Sequence, residues 1–459
     1  MCVRLARLSR HICAAVVFRL RDATITILLL PSESVRCDAV SRRRATASRQ
    51  APPSPNDRLV PAPRLLVCTD TYPPQVNGVS VVTAMSIAGL AQRGWECQVI
   101  APKYPPPAAN AFRDHGTPNA LSMSALPSVP LPWYPDIRLS APLMGHVART
   151  VDGFAPNIVH CATEFVIGWM GQRVARTRGI PVVSSYHTDF ARYARAYGMQ
   201  WMAGPVARFI GRFHQRSQRT YTPSAPARAD LLALGVRDVE VWGRAVDVRA
   251  FNPAKRSEPL RDTYGGRDSF VLLHVGRLAP EKGVDHILEG FALAQRQLAP
   301  GSIQLVIAGT GPSEALLRQK APANVTFLGN LDRQAVLPRL YASADAFVFA
   351  SLTETLGLVI LEAMASGLPV IATPAGGVAD HLRHGSNGLA FAANDASALA
   401  HAIITLALER DKRRALGAGA RATAEALSWE RELDRLDASY REIVARSVER
   451  TRELAPSLA

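Results

Sequence analysis

The strongest constraint on the fold is an alternation that runs twice along the chain. A short apolar run ends in polar residues, a stretch of helical periodicity follows, and another apolar run begins. LLVCTD at 65–70 opens the first series, followed by a helical pattern at 79–92, Gly94 and the run CQVIAP at 97–102. NIVHCAT at 157–163 and PVVSSYHTD at 181–189 continue it, with a helical pattern between them. The second series starts near Ser269 with SFVLLHVGRL (269–278) and continues with IQLVIAG (303–309), NVTFLG (324–329), AFVFAS (346–351) and PVIATP (369–374). Helical patterns at 284–297, 313–320, 333–343 and 357–366 separate those runs. Such alternation predicts parallel sheets with helices on both faces. The expected fold class is therefore α/β, with two Rossmann-like domains facing a central crevice. Ligands of such sheets bind beyond the carboxyl ends of the strands.

A length of 459 residues suits two domains of roughly 200 residues each. Their expected bounds are 58–247 and 248–425. Residues 426–459 are expected to form a helix that packs back on the first domain. Within it, WERELDRLDASYREIVARS (429–447) is amphipathic, with Leu433, Leu436, Tyr440 and Ile443 on one side. Residues 103–140 are Pro-rich and read as a long loop region. Residues 1–57 hold ten Arg against four acids and read as a disordered basic extension. No run of about 18 apolar residues occurs, so no membrane-spanning helix is expected. Six Cys without a CxxC pair suggest neither a zinc site nor a disulfide framework, and a reducing compartment. The net charge of +15 attracts anions, whether nucleic acid, acidic lipid or phosphorylated substrates, without choosing among them.

Candidate site residues cluster at the strand ends. The run at 271–275 ends in Gly276-Arg277, and Glu281-Lys282-Gly283 leads into the next helix. Gly276 allows close backbone approach, and Arg277, Lys282 and a helix N-terminus form a diphosphate clamp that needs no metal. The same residues also suit a surface ion pair with Glu281. After the run at 346–350, Glu354 precedes a helix and Glu362 lies on it. The N–H groups of Leu356, Gly357 and Leu358 at that helix start suit phosphate, and the two carboxylates suit sugar and ribose hydroxyls. Alternatively, Glu354 caps the helix and Glu362 is a solvated face residue. AGGVAD (375–380) is another turn built for close approach, whereas GTG (309–311) lacks dinucleotide-binding spacing. Gly78 at a helix start and His187 in YHTD complete the set; a His in such a place is also compatible with packing or capping.

Together these segments resemble the retaining GT-B glycosyltransferases of family four over roughly residues 64–450. The matching text is NGVS (77–80), SYHTDF (185–190), WGRAVD (242–247), FNP (251–253), VGRLAPEKG (275–283), AGTGP (308–312), the E-x7-E segment (354–362) and AGGVADHLRHGSNG (375–388). The HTDF and GGVAD variants look most like bacterial GDP-mannose-dependent α-mannosyltransferases and sulfoquinovosyltransferase-like enzymes. The resemblance implies that Arg277 and Lys282 bind the donor diphosphate, helped by the backbone N–H of Gly78. It implies that Glu362 holds the ribose, Glu354 the donor sugar, and that His187 lies beside the transferred sugar. It further implies a metal-independent hexosyltransferase without cofactor, taking a nucleotide sugar as co-substrate, GDP-mannose first and a UDP-hexose second. The acceptor would be a hydroxyl on a lipid or polysaccharide precursor. Ala245 and Asp380 stand where the family often has Gly and Glu, which leaves donor preference open.

No Asp-x-Asp sequence occurs, which disfavours the metal-dependent transferases of the other common type. A rival reading is a basic module that binds nucleic acid or membrane, but charge alone leaves two α/β series unexplained. A second rival is a nucleotide-sugar epimerase of GT-B shape. No nucleic-acid partner is expected. Arg208, Arg212, Arg216 and Arg219 recur every three or four residues and read as one basic stripe, near Trp201, Phe209, Ile210 and Phe213. Such a segment rests on anionic lipid or packs on its own domain. The expected location is cytoplasmic, peripheral at the inner face of the membrane.

Overall fold

The computed structural model describes residues 16–20, 23–27, 62–75, 77–105, 122–131, 134–190, 200–264 and 269–454. The chain divides into two compact units, Met1–Val60 and Pro61–Ala459. In the first unit, β1 (Val16–Leu20) and β2 (Ala23–Ile27) pair antiparallel. This hairpin differs from the extension expected for 1–57; β-branched Val16, Val17, Thr24, Ile25, Thr26 and Ile27 favour extended backbone. The Arg cluster 42–44 lies outside the described residues.

The second unit is built on two parallel sheets, as the double alternation predicts. One has seven strands. Among them are β3 (Arg64–Cys68), β4 (Glu96–Pro102), β5 (Ser122–Leu126), β8 (Ile158–Cys161), β9 (Val182–Ser185), β10 (Arg219–Thr222) and β11 (Val239–Val241), in the order β11-β10-β9-β8-β3-β4-β5. The other has six: β12 (Phe270–Val275), β13 (Ile303–Ala308), β14 (Val325–Gly329), β15 (Ala346–Phe349), β16 (Val370–Ala372) and β17 (Gly388–Ala390), ordered β14-β13-β12-β15-β16-β17. Central strands such as β3 and β12 are mostly apolar because both faces are covered. Leu65 and Val67 enter one core cluster, while Leu66 and Cys68 enter the cluster on the opposite face. Val271, Leu273 and Val275 split from Phe270 and Leu272 in the same way. Each such side chain contributes about 1.5–3 kcal/mol on burial.

Residues 122–131 and 134–140 are not loop but mostly strand. β5 extends the first sheet beside β4, and β6 (Ser128–Leu131) pairs antiparallel with β7 (Tyr134–Ser140). Ser122 and Met123 of β5 are exposed at the sheet edge, so no continuous apolar run marks it. The basic stripe is also divided. The helix Gln200–His214 carries exposed Arg208 and Arg212, exposed Arg216 lies in the turn after it, and Arg219 belongs to β10. There Arg219 pairs with Asp238 (3.1 Å) and Glu442 (3.1 Å), so it is part of the packed molecule and not of a free basic face.

The helix Trp429–Leu454 lays Leu433, Leu436, Tyr440 and Ile443 into the cluster that holds Leu65, Val67 and Val99. Its approach to the helix Gly78–Gln92 is close. A Cβ on Gly89 would lie 2.3 Å from Leu433 Cδ1. Trp95 Nε1 donates to Asp437 Oδ1 at 2.6 Å, and Arg93 pairs with Asp434 at 2.7 Å. Trp242 Nε1 and the Gly243 N–H both donate to Glu432, through its main-chain oxygen and its carboxylate respectively, which anchors the start of the same helix.

In each sheet the strand order reverses once, between β3 and β8 and between β12 and β15. Crevices beyond the carboxyl ends at such reversals are where open α/β sheets bind ligands.

Candidate active site

At the reversal in the second sheet, β12 runs out at Val275 and the chain turns through Gly276, Arg277 and Leu278. The glycines of 309–311 serve this turn. Gly309 has φ +134, and a Cβ there would fall 1.9 Å from the main-chain oxygen of Gly276. A single 3-10 turn, Pro280–Lys282, then leads into the helix Val284–Gln295. Arg277 Nη1 lies 3.7 Å from Glu281 Oε1, and the Glu281 side chain is fully buried. Burial pushes the Arg277 pKa below its ordinary value, against the opposing pull of Glu281. Lys282 Nζ pairs directly with the Glu354 carboxylate, both side chains being mostly buried.

Glu354 lies in the loop between β15 and the helix Leu358–Ala365. It does not cap that helix: the N-cap is Gly357, at φ +74. The N–H groups of Leu356, Gly357 and Leu358 make no backbone hydrogen bond among the described residues. The paired glycines of 375–380 serve this loop. A Cβ on Gly376 would fall 2.2 Å from the Glu354 oxygen, and one on Gly377 2.1 Å from the Thr355 oxygen. Their close approach is thus to the acidic loop itself, and the Gly377 N–H donates to the Glu354 oxygen at 2.8 Å.

Glu362 is 2% exposed and is no solvated face residue. Arg333 pairs with its Oε1, and Tyr341 Oη donates to its Oε2 at 3.1 Å. Burial, then the neighbouring carboxylate, pushes the Tyr341 phenol well above its ordinary range.

At the reversal in the first sheet, Asp70 follows β3. It accepts from Thr163 Oγ1 (2.7 Å), the Ile167 N–H (2.9 Å) and the Gly168 N–H (3.4 Å), so it caps the helix Val166–Thr177. Burial still raises its pKa, outweighing these donors. His187 follows β9; burial and then His214 push its pKa down to about 4, so the ring is neutral at pH 7. His214 is fully buried between Ser184 Oγ (2.9 Å, at Nδ1) and Glu164 Oε1 (3.2 Å, at Nε2). Gly78 begins the helix Gly78–Gln92, which Asn77 caps by accepting from the Ser80 N–H at 2.9 Å. A Cβ at Gly78 would meet nothing within 4 Å, so packing does not require glycine there.

Among the described residues, contacts at Thr355, Leu356 and Asp380 join the halves of the crevice. Thr355 Oγ1 donates to the main-chain oxygen of His187. Leu356 packs against a core cluster of each sheet. Asp380 accepts from Arg244 Nη2 and from the Ala225 N–H, both at 2.8 Å. The structure thus brings Lys282, Glu354 and the His187 backbone into one connected group. Arg277 stands with Glu281, and Glu362 forms a separate group with Arg333 and Tyr341. Sequence reasoning passed over Asp70, Glu164, His214, Arg333 and Tyr341. Asp70 alone carried a signal, as the polar residue ending the LLVCTD run. An open cleft of about 390 Å³ lies elsewhere, lined by Lys255, Arg256, Ser257 and Arg339, and none of the residues above borders it.

Two parallel sheets meeting across a crevice, with cations, carboxylates and helix-start amides along it, define the GT-B class of glycosyltransferase. Residues 76–250 match the family described as Glycosyltransferase Family 4, and residues 269–409 match Glycosyl transferases group 1. The chain is 36% identical to a GDP-mannose-dependent alpha-mannosyltransferase of Mycobacterium tuberculosis, over 71% of this chain and 83% of that protein. It is 33% identical to the sulfoquinovosyl transferase SQD2 of Arabidopsis thaliana, over 66% of this chain and 60% of that protein. Sucrose-phosphate synthase of Thermosynechococcus elongatus shares the fold, with a TM-score of 0.67 at 21% identity, covering 84% of this chain and 99% of that one. The protein belongs to glycosyltransferase family 4 and moves a hexose from a nucleotide sugar to an acceptor.

Proposed function

We propose that this protein is a retaining α-mannosyltransferase that carries mannose from GDP-mannose to a hydroxyl of a lipid or polysaccharide precursor, without a divalent metal. The observation that carries the reading is the connected group formed by Lys282, Glu354 and, through Thr355, His187. It sets a cation and a carboxylate beside the main chain of His187 at one point of the crevice. Arg277, Lys282 and the amides of Gly78, Leu356, Gly357 and Leu358 would receive the diphosphate, whose charge grows as the sugar leaves; the Gly276 N–H is held by the Ala308 oxygen at 3.0 Å, so that glycine would serve only close approach. Glu354 would hold sugar hydroxyls, and Glu362 the ribose diol. A His187 ring that is neutral at pH 7 is suited to a hydrogen bond with the sugar or the reacting centre and not to ion pairing with phosphate. The acceptor oxygen would attack the face the diphosphate leaves, passing its proton to the departing phosphate. The choice of mannose and guanosine rests on the mannosyltransferase relative.

Among the described residues no helix is long and apolar enough to cross a membrane. The helix Gln200–His214 offers exposed Trp201 and Phe209 beside Arg208 and Arg212, which supports peripheral contact with the inner, anionic membrane face. The test is incubation with GDP-mannose or UDP-glucose, with and without lipid acceptor and with EDTA. Nucleoside diphosphate released only with acceptor, in EDTA, with an α-linked product supports the reading. Release without acceptor, an epimerised sugar or a β-linked product refutes it.

A further inference from the structure

Glu362 belongs to a closed set of four side chains. Arg333 pairs with one of its oxygens and Tyr341 donates to the other. The Arg333 guanidinium also lies over the Phe251 ring, 5.5 Å from its centroid, and Phe251 meets Tyr341 edge-on at 5.6 Å. Phe251 is the first residue of the FNP segment, 2% exposed, in the stretch that connects the two sheets. Arg333 comes from the loop after β14, Tyr341 from the helix Leu337–Ala342, and Glu362 from the helix Leu358–Ala365. On the far side of that last helix, Arg421 bonds the main-chain oxygens of Ala365, Val248 and Phe251, and its Nε bonds Glu425 at 2.7 Å. Its charge is committed there, which leaves Arg333 as the cation paired with Glu362 among the described residues.

A carboxylate taken out of water is costly unless paired and hydrogen-bonded. Its two oxygens, when ionised, can accept both hydroxyls of a diol. We infer that Arg333 is a positioning residue for donor recognition: lying over the Phe251 ring, it compensates the buried Glu362 carboxylate and aims it at the ribose diol. Phe251 and Tyr341 set the orientation of the pair. The inference rests on the reading of Glu362 as the ribose carboxylate, and it extends donor recognition to the FNP segment, for which the crevice contacts give no role.

In Arg333→Met the carboxyl stays buried without its cation, and burial favours the neutral acid. Nucleotide affinity should then depend on pH in a way the parent's does not. Titration calorimetry with GDP, and UDP alongside, should find Arg333→Met weakened about 10- to 100-fold at about pH 6, the range expected for losing bonds to a charged acceptor. Most of the loss should return by about pH 9. Arg333→Lys, which keeps the charge, should stay nearer the parent and show a flatter profile. Phe251→Leu should weaken binding less than Arg333→Met, with the same pH trend. Unchanged affinity in Arg333→Met, or a loss equal at both pH values, overturns the inference; the second result marks a purely structural arginine. Should Arg333→Met fail to fold, Arg333→Gln carries the same test. Glu362→Gln separates the two readings. If it binds GDP like the parent, the ribose assignment itself fails. If it loses affinity while Arg333→Met does not, only the role of Arg333 fails.

Discussion

Thr355 Oγ1 donates its hydrogen bond to the main-chain oxygen of His187, residues 168 apart in sequence. Thr355 directly follows Glu354, and Glu354 holds Lys282. One hydroxyl therefore registers the acidic loop of the second sheet against a strand end of the first. Thr355→Val should remove that bond while keeping its shape, at a cost of about 0.5–1.5 kcal/mol. The expected result is a roughly 2- to 10-fold fall in kcat/KM with nucleotide affinity little changed. Steady-state kinetics beside calorimetry would check this, and an equal loss in both would assign Thr355 to donor binding.

Lys282→Ala should slow turnover more than it unfolds the protein. Its ammonium meets Glu354 at the crevice rim and lies outside the apolar clusters. Removing one group that stabilises developing charge costs about 100- to 1000-fold in kcat. Thermal melting should move by only a few degrees. A large fall in melting temperature with near-normal kcat would make the pair structural.

Gly377→Ala should act through geometry alone. Its new Cβ would meet the Thr355 oxygen at 2.1 Å, so the loop bearing Glu354 must shift. Because a misplacement of about 1 Å costs on the order of 100-fold, activity should fall at least tenfold while circular dichroism stays that of the parent. A fully active, unshifted variant would show that the loop has slack.

Stability should fall as pH drops from about 6.5 towards 4. Burial is the main cause that lowers His160 to about 3 and His274 and His381 to about 4. The unfolded chain binds these protons first, so the neutral rings favour the native state above their unfolded pKa, and that advantage is lost on acidification. Each unit of depression corresponds to about 1.4 kcal/mol. Melting temperatures from neutral to mildly acidic pH would record the slope, and His274→Leu, on a strand buried on both faces, should make it shallower. A flat profile would contradict the burial of these rings.

Arg208, Arg212 and Arg216 changed together to Gln should loosen attachment to anionic vesicles. At about 1 kcal/mol per cation near the surface, the loss is roughly 100-fold in partitioning. Arg219→Gln should instead lower stability, because Arg219 is tied to Asp238 and Glu442. Co-sedimentation equal for parent and triple variant would point to an acceptor that is not membrane-bound.

The sequence was most legible where burial is two-sided. Leu65–Cys68 and Phe270–Leu273 read as continuous apolar runs because each face meets its own core. Both edge strands of the first sheet escaped for the converse reason. Ser122–Leu126 and Val239–Val241 carry polar residues towards solvent and lack the run. The helical spacing of Arg208–Arg219 misled because a periodic pattern does not register the turn that ends the helix at His214. Among site groups, Arg277, Lys282, Glu354 and Glu362 stand in compact motifs. Arg333, Tyr341 and His214 do not; each finds its partner 21 to 50 residues away, and no local spacing announces such a pair.

The helix Trp429–Leu454 has a consequence for how the chain is made. Trp95 finds Asp437 only after 342 further residues, and the apolar cluster under β3 and β4 lacks Leu433, Leu436, Tyr440 and Ile443 until then. At synthesis rates of about 5–20 residues per second, the earlier half waits roughly 20–70 s for its covering. Throughout that interval an apolar face of its sheet stands open beside the ribosome. The second sheet draws its core from residues made close together and can close while the first is still incomplete. The half encoded first is thus the half finished last, and a chaperone acting on the nascent chain would be expected to hold it there.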